Sequence, residues 1–247
     1  MPPIAAITTP RRFIEAKSLL PSLVARGACA SEGGAGAAHA GPMPTRRSVD
    51  SGGDKRVRPL SSWNLSLFPR HISTPRLVLE LPGEADYASV LDMAKEPSMF
   101  AYSPGVRMVP EEAWNLLLRH VGHWQLAGYG VFSVRERGSG RFVGLVGGSS
   151  FRRGIGRWFD DHPELTWSII EEFRGRGYAT EAAMAVLDAF DAMPSVGGTV
   201  CLIHVDNRAS LRVAARLGFQ LFKHHDYRGY RAGLFRRVER REVHPFP

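Results

Sequence analysis

The ten residues 172–181, which read EFRGRGYATE, decide the fold of this chain. The apolar segment from Glu164 to Ile170 predicts a strand before them, and Ala179 to Met193 predicts a helix after them. Glycines at such a turn permit positive φ angles and close approach of a ligand to the backbone. The N–H groups of the first helical turn lack partners within the helix and attract anions. The stretch therefore predicts a phosphate-binding turn.

Two common nucleotide-binding motifs do not fit this turn. The dinucleotide fingerprint G-x-G-x-x-G needs a third glycine where Thr180 stands, and no G-x-x-x-x-G-K-[ST] P-loop occurs in the sequence. Gly175 and Gly177 could also serve only as a tight connection between strand and helix. The residues of the turn alone thus leave its ligand open.

The pattern on both sides of the turn predicts a mixed α/β sheet flanked by helices. The other predicted strands are Arg76 to Leu81, Tyr129 to Arg135, Phe142 to Ser150, Thr199 to Val205, Phe219 to Phe222 and Leu234 to Val238. The other predicted helices are Glu84 to Ala94, Pro110 to Ala127 and Arg208 to Leu217. The helix Pro110 to Ala127 is expected to face inward with one set of apolar residues: Trp114, Leu117, Leu118, Val121 and Trp124.

Composition divides the chain into a tail and a domain. Residues 1–73 carry ten Lys/Arg and four Asp/Glu, so most of the net charge of +8 lies there and residues 74–247 are close to neutral. Small residues and prolines in this segment cannot bury enough apolar surface to fold. We expect a basic, disordered extension over 1–73, a domain over 74–238 and a tail over 239–247. A transit peptide, or a true start at Met43, could also explain the extension.

Several classes of function are disfavoured. No apolar run is long enough to cross a bilayer, so no membrane partner is expected. The nearly neutral domain offers no basic groove, so binding of nucleic acid is not expected beyond the N-terminal extension. Cys29 and Cys201 are too few for a disulfide framework, which favours the cytoplasm. The histidines show no metal-ligand spacing, so no metal is expected.

The chain resembles the GNAT acetyltransferases, in the branch that includes the ribosomal-protein alanine acetyltransferases. The acetyl-CoA motif of that family, Gln/Arg-x-x-Gly-x-Gly/Ala, is matched by Arg174, Gly177 and Ala179. A second stretch, VDNRASLRVAARLGF at 205–219, is similar to the family's second cofactor motif. Further matches are TPRLVL at 74–79 and YRGYRAGLFRR at 227–237.

The resemblance implies acetyl-CoA as the co-substrate and a sheet that is splayed between two parallel strands. The pyrophosphate would lie on backbone N–H groups of Arg174, Gly175, Arg176, Gly177, Tyr178, Ala179 and Thr180. The pantetheine arm would pair with the edge opened between the strand 164–170 and the strand 199–205. Asn207 would hydrogen-bond this arm, and Ser210 would approach the thiol sulfur, although Asn207 could also be a helix cap.

The implied reaction is direct attack of a primary amine on the thioester. Glu164 is the candidate general base, because a carboxylate often stands at this strand position in the family; a solvated strand-end glutamate is the alternative. Many relatives carry a tyrosine seven residues after the asparagine, where this chain has Ala214. Ser210 or water would then protonate the thiolate, or the thiolate would leave unprotonated; Tyr227 could be a substitute or only an aromatic residue at the sheet edge. Asp160, Asp161 and His162 could contact a cationic substrate.

The acceptor stays open at this stage. The resemblance favours a protein N-terminal α-amine, while aminoglycosides, polyamines and amino acids remain alternatives. Because Ala214 replaces the expected tyrosine, a non-catalytic acetyl-CoA sensor is a further alternative. Arg46, Arg47, Lys55, Arg56 and Arg58 could bind RNA through the extension, but such basic segments are usually only solvated.

Overall fold

The structure, a computed structural model, describes residues 68–102, 109–193 and 195–237. Its strands form one sheet in the order β1-β2-β3-β4-β5-β6-β8-β7. In chain order they are β1 His71–Ser73, β2 Leu77–Glu80, β3 Val131–Glu136, β4 Phe142–Ser149, β5 Glu164–Ile169, β6 Thr199–His204, β7 Gln220–Tyr227 and β8 Tyr230–Arg237. The basic cluster at 46–58 and the expected tail at 239–247 lie outside the described residues.

Neighbouring strands in this sheet are antiparallel, except for β5 and β6. The connection between these two strands carries the glycine turn and the helix α4, Tyr178–Asp191. A parallel pair needs such a crossover, whereas antiparallel strands can be joined by short turns. The predicted mixed α/β sheet is thus confirmed.

Helices cover the sheet and enclose the main core. They are α1 Tyr87–Lys95, α2 Pro110–Ala127, the short α3 Arg157–Asp160, α4, and α5 Arg208–Arg216. The inward face of α4 consists of Ala182, Ala183, Val186, Leu187 and Phe190, all buried. Small residues at two of these positions let the helix lie close to the strands, so that the site at its N-terminus is held by a packed core.

The inward face of α2 differs from the predicted one. Ala113, Leu117, His120 and Trp124 are buried, whereas Trp114 and Leu118 are 36% and 48% exposed. The prediction was right for Leu117 and Trp124 but wrong for Trp114 and Leu118, each of which follows a buried residue by one position. Successive side chains point about 100° apart around a helix, so Trp114 and Leu118 point away from the core. His120, about one turn after Leu117, is buried on the inward face instead. Burial lowers the pKa of His120 to about 3, so this ring is neutral.

The folded domain starts before Thr74, contrary to the expected boundary. Phe68 is 3% exposed and packs on Trp124, Tyr129, Phe132 and Phe190, with ring centroids 4.6–6.4 Å apart. The strand β1 then pairs antiparallel with β2. A single aromatic residue and a three-residue strand give no periodic signal, so composition placed the boundary a few residues too late.

Candidate active site

The strands β5 and β6 meet at one end and separate at the other. Their only register pair joins Glu164 to Val200, where the N–H of Val200 also donates to the carbonyl of Pro163 at 3.0 Å. Beyond that point, residues of both strands line a cleft of about 790 Å³. The predicted splay is therefore present, and it leaves the backbone edge of β5 open towards the cleft.

The glycine turn closes the wide end of this cleft. Gly175 and Gly177 have φ angles of 75° and 81°. Residues that have a Cβ adopt such positive φ angles only at a cost in conformational energy. Gly177 is the N-cap of α4, and its carbonyl accepts the first helical hydrogen bond from Glu181 at 3.0 Å. The N–H groups of residues 178–180 therefore have no partner within the helix. Tyr178, Ala179 and Thr180 all line the cleft.

Side chains from distant parts of the chain, the β1–β2 connection and β3, hold this turn in place. Arg76 donates through Nη1 to the carbonyl of Arg176 at 2.9 Å and through Nε to Oε2 of Glu181 at 2.6 Å. The hydroxyl of Thr74 donates to Oε1 of the same glutamate at 2.6 Å. Tyr178 donates from its hydroxyl to Glu136 at 2.6 Å. These bonds preorganise the N–H groups, because the turn cannot move without breaking them.

Arg174 anchors the turn from its other side. Its N–H donates to the carbonyl of Glu171 at 3.1 Å, and its guanidinium donates to the carbonyl of Ile169 at 2.8 Å. The same guanidinium bonds Ser98 at 2.6 Å and Glu96 at 2.9 Å. The backbone N–H of Arg174 is thus engaged within the protein, which differs from the expectation that phosphate contacts begin at this residue.

Asn207 and Ser210 lie where α5 begins beside the cleft. Oδ1 of Asn207 accepts the N–H of Ser210 at 3.0 Å, so this residue is the N-cap of the helix. The indole N–H of Trp167 on β5 donates to the hydroxyl of Ser210 at 3.2 Å. Both residues line the cleft. Ala214, one turn further along α5, is 1% exposed and belongs to the core.

Glu164 lies at the narrow end of the cleft in a buried ion pair. Its side chain is 6% exposed, and Arg153 donates to its two oxygens at 2.6 and 2.7 Å. Arg153 also donates to the hydroxyl of Tyr227 at 3.1 Å. Burial raises the pKa of the Glu164 carboxyl, and the hydrogen bonds and charge of Arg153 offset part of that rise. The expected solvated alternative for Glu164 does not match this environment.

The two aspartates expected near a cationic substrate are engaged within their own segment. The oxygens of Asp160 accept the N–H groups of Arg153 and Gly156, each at 2.8 Å. Asp161 accepts from Nε of Arg157 at 3.0 Å. These carboxylates shape the loop between β4 and β5 instead of presenting free charges to the cleft.

The sequence prediction missed four further residues that line the cleft: Tyr102, Arg153, His204 and Tyr230. The His204 ring lies 5.3 Å from that of Tyr102 and 5.5 Å from that of Tyr230. Nδ1 of this histidine accepts the N–H of Asp206 at 3.1 Å, so its neutral form carries the proton on Nε2. Of these four residues, only Arg153 gave a signal in the sequence, as one of the adjacent pair Arg152-Arg153.

Within the described ranges, no group of three or more His, Cys, Asp or Glu side chains could hold a metal ion. A search of the same ranges found no helix with the length and apolar character that a membrane crossing requires.

Comparison with known protein families identifies the region around the site. A family described as "Acetyltransferase (GNAT) domain" matches residues 76–220, which include the glycine turn, the splayed strands and α5. The matched region is more than half of the chain.

Solved structures share the fold over the same region. A protein described as a GNAT-family acetyltransferase from Bordetella pertussis is 32% identical, with a TM-score of 0.62 over 69% of this chain and 100% of that one. An acetyltransferase from Agrobacterium tumefaciens is 26% identical, with a TM-score of 0.57 over 68% and 93%. RimL, a ribosomal L7/L12 alpha-N-protein acetyltransferase in complex with coenzyme A, is 16% identical, with a TM-score of 0.56 over 69% and 97%.

Proposed function

Because the chain belongs to the GNAT acetyltransferase family and transfers an acyl group from acetyl-CoA, we propose that its acceptor is a primary amine, in the first place the α-amine of a protein or peptide N-terminus. The observation that carries the proposal is the single cleft that joins the glycine turn to Glu164. Acetyl-CoA has phosphates at one end and a thioester at the other. It would therefore lie in this cleft with its phosphates at the glycine turn and its thioester towards Glu164.

The wide end of the cleft is the proposed pyrophosphate site. Unpaired N–H groups at the start of a helix of fourteen residues attract anions, and the turn around Gly177 lets them approach closely. The pantetheine arm would then pair with the open edge of β5. Asn207 and Ser210 would bound the arm on the side of α5. Acetyl-CoA supplies the activated acetyl group, and groups of the protein bind it and orient it.

The narrow end is the proposed site of amine attack. An amine acceptor arrives mostly protonated at neutral pH and must lose a proton before it attacks. Glu164 is the proposed acceptor of this proton, because it is buried beside the splay and its raised pKa brings it closer to the working pH. Arg153 donates one hydrogen bond to each oxygen of the Glu164 carboxylate. Each oxygen keeps a second lone pair that can accept the proton of the amine. Backbone N–H groups of β5 are proposed to stabilise the oxyanion.

Protonation of the departing thiolate needs no dedicated acid. A thiolate leaves readily near pH 8, because the pKa of a thiol is about 8.5. Ser210 lies on the α5 side of the cleft, with its hydroxyl held by Trp167 at 3.2 Å. We propose that Glu164 releases the proton of the amine to solvent, and that the thiolate takes a proton from water, either directly or through the Ser210 hydroxyl, which gives up one proton and regains another. Ala214 cannot take part, because it is buried and has no proton to give.

Two alternatives make different predictions about turnover. A non-catalytic acetyl-CoA sensor is favoured by Ala214 and by the engagement of Glu164 with Arg153, and it predicts binding without turnover. A small-molecule acetyltransferase predicts turnover that does not require a peptide.

The cytoplasm, where peptide N-termini emerge from synthesis, remains our prediction for the location of the protein, since Cys201 is a buried free thiol.

An acceptor panel tests the proposed function. Peptides with a free α-amine, the same peptides with a blocked N-terminus and one lysine, a polyamine and an aminoglycoside are each incubated with acetyl-CoA. We expect thiol release and a mass increase of one acetyl group on the free α-amine, with kcat/KM at least about tenfold above that of the lysine. Turnover restricted to the small amines contradicts the peptide acceptor, and binding without any turnover indicates the sensor.

A further inference from the structure

Three arginines from separate elements converge beside the narrow end of the cleft. Arg119 on α2 and Arg153 on the loop after β4 lie over the ring of Phe151, at 5.9 and 4.7 Å from its centroid. Arg153 and Arg228, from the turn between β7 and β8, lie over the ring of Tyr227 at 5.0 and 5.3 Å. We call Arg119, Arg153 and Arg228 the arginine cluster; its three guanidinium groups share two aromatic rings.

The arginine cluster carries an excess of positive charge. Arg153 is paired with Glu164, but no carboxylate in the described part of the chain lies within 4.0 Å of the Arg119 or Arg228 guanidinium. Although part of its side chain is exposed, Arg119 has a lowered pKa, first through partial burial and then through the charges of Arg153 and Arg228. Repulsion of this kind is relieved when an anion binds between the groups.

Hydrogen bonds hold the elements of the arginine cluster together. Nε2 of His123 on α2 accepts the N–H of Ser150 at 2.9 Å, next to Phe151. Nδ1 of the same ring donates to the carbonyl of Tyr129 at 2.8 Å. This arrangement needs a neutral ring, and burial lowers the pKa of His123 accordingly. The loop that carries Phe151 and Arg153 is thus fixed to the helix that carries Arg119.

Through Arg153, the arginine cluster adjoins the acceptor end of the cleft, away from the proposed phosphate site, while Arg119 and Arg228 lie beside Arg153 and not among the residues that line the cleft. Arg153 and Glu164 line the narrow end of the cleft, and the glycine turn lines the wide end. The six residues of β5 separate the two ends by a strand length on the order of 20 Å. Coenzyme A bound in the proposed direction therefore leaves the arginine cluster to the other substrate.

We infer that Arg119, Arg153 and Arg228 form a subsite for an anionic group, a carboxylate or a phosphate, carried by the acceptor amine. The inference rests on the proposed function, because it assigns the narrow end of the cleft to the acceptor. Guanidinium groups bind both oxyanions through charge-assisted hydrogen bonds, and several donors around one anion add geometric selectivity. Acidic peptide N-termini or phosphate-bearing amines are thus the preferred acceptors, and cationic polyamines or aminoglycosides are disfavoured.

The test measures binding to the protein loaded with coenzyme A, so that it does not depend on turnover. The first pair of ligands is a peptide amide with aspartate at its second position and the same peptide with asparagine there. The second pair is phosphoethanolamine and ethanolamine. Titration calorimetry should show at least about tenfold tighter binding of the anionic member in one pair or both. The pair that discriminates identifies carboxylate or phosphate as the group recognised.

Variants then locate the subsite. The double variant Arg119→Gln/Arg228→Gln should lower the ratio of affinities by about tenfold, and both side chains are exposed enough for folding to be retained. Lys223→Gln removes one exposed charge from β7 and should leave the ratio unchanged. Equal affinities within both pairs, no binding of any ligand, or an unchanged ratio in the double variant would overturn the inference. Discrimination without turnover on any amine would instead overturn the proposed function.

Discussion

Replacement of Gly177 by valine is expected to abolish the thermal stabilisation by acetyl-CoA. In the wild-type protein, ligand at a hundred times its Kd adds about 2.7 kcal/mol to the free energy of unfolding, or roughly 5 to 10 °C in Tm. Gly177 has a φ of 81°, and a β-branched residue is strongly disfavoured there. The turn would change shape, the N–H groups of residues 178–180 would lose their direction, and the larger side chain would obstruct the phosphates.

The matched control for this change is Gly218→Val. Gly218 follows α5 with a φ of 82°, and a side chain there would meet open space, as it nearly does at Gly177. Backbone strain should therefore lower the Tm of both variants by similar amounts. Only the Gly177 variant should lose the shift with acetyl-CoA. A full shift in a folded Gly177→Val protein would mean that the pyrophosphate binds elsewhere.

Replacement of Glu164 by glutamine is expected to lower turnover by roughly a hundredfold, the low end of general-base contributions. Glutamine keeps the shape of the side chain and removes the base. Burial raises the pKa of Glu164, so the wild-type rate should fall as the pH drops through that raised pKa. The loss in the variant should shrink at high pH, where the amine arrives neutral. The affinity for acetyl-CoA should barely change, because the glycine turn lies at the other end of β5.

Glu164→Gln also leaves Arg153 without its charged partner, and breaking a buried ion pair can cost about 3 to 5 kcal/mol of stability. Asp191→Asn is the control for this effect. Asp191 accepts two hydrogen bonds from Arg237 at 2.6 and 2.7 Å, and both side chains are largely buried. The two variants should lose stability to a similar extent, and only the first should lose activity. An unaltered pH–rate profile in Glu164→Gln would reduce Glu164 to a structural or substrate-binding residue.

Local sequence signals were sufficient to predict the centre of the fold. The glycine turn, the strand before it and the helix after it are encoded within about thirty consecutive residues. Turn residues, helical spacing and apolar strands all act over short distances, so one sequence reveals them. The family resemblance added the splay of β5 and β6, which depends on pairing that no local pattern specifies.

The edge of the sheet and the narrow end of the cleft were harder to predict. The strand β7 extends to Tyr227, but most of its side chains are exposed at the sheet edge, so it shows no apolar alternation beyond Phe222. Similarly, the pairing of Arg153 with Glu164 and Tyr227 joins positions 11 and 74 residues apart in the chain. Such contacts follow from the packing of the sheet and have no signature in spacing.

The central claim is that coenzyme A lies between β5 and β6 with its pyrophosphate on the first turn of α4. Amide hydrogen exchange, followed by NMR with and without coenzyme A, tests this claim most directly. We expect slower exchange at Tyr178, Ala179 and Thr180, and at those amides of β5 that face the cleft, since each would gain a partner from the ligand. Unchanged exchange at both places, with saturating ligand bound and protection elsewhere in the protein, would contradict the account.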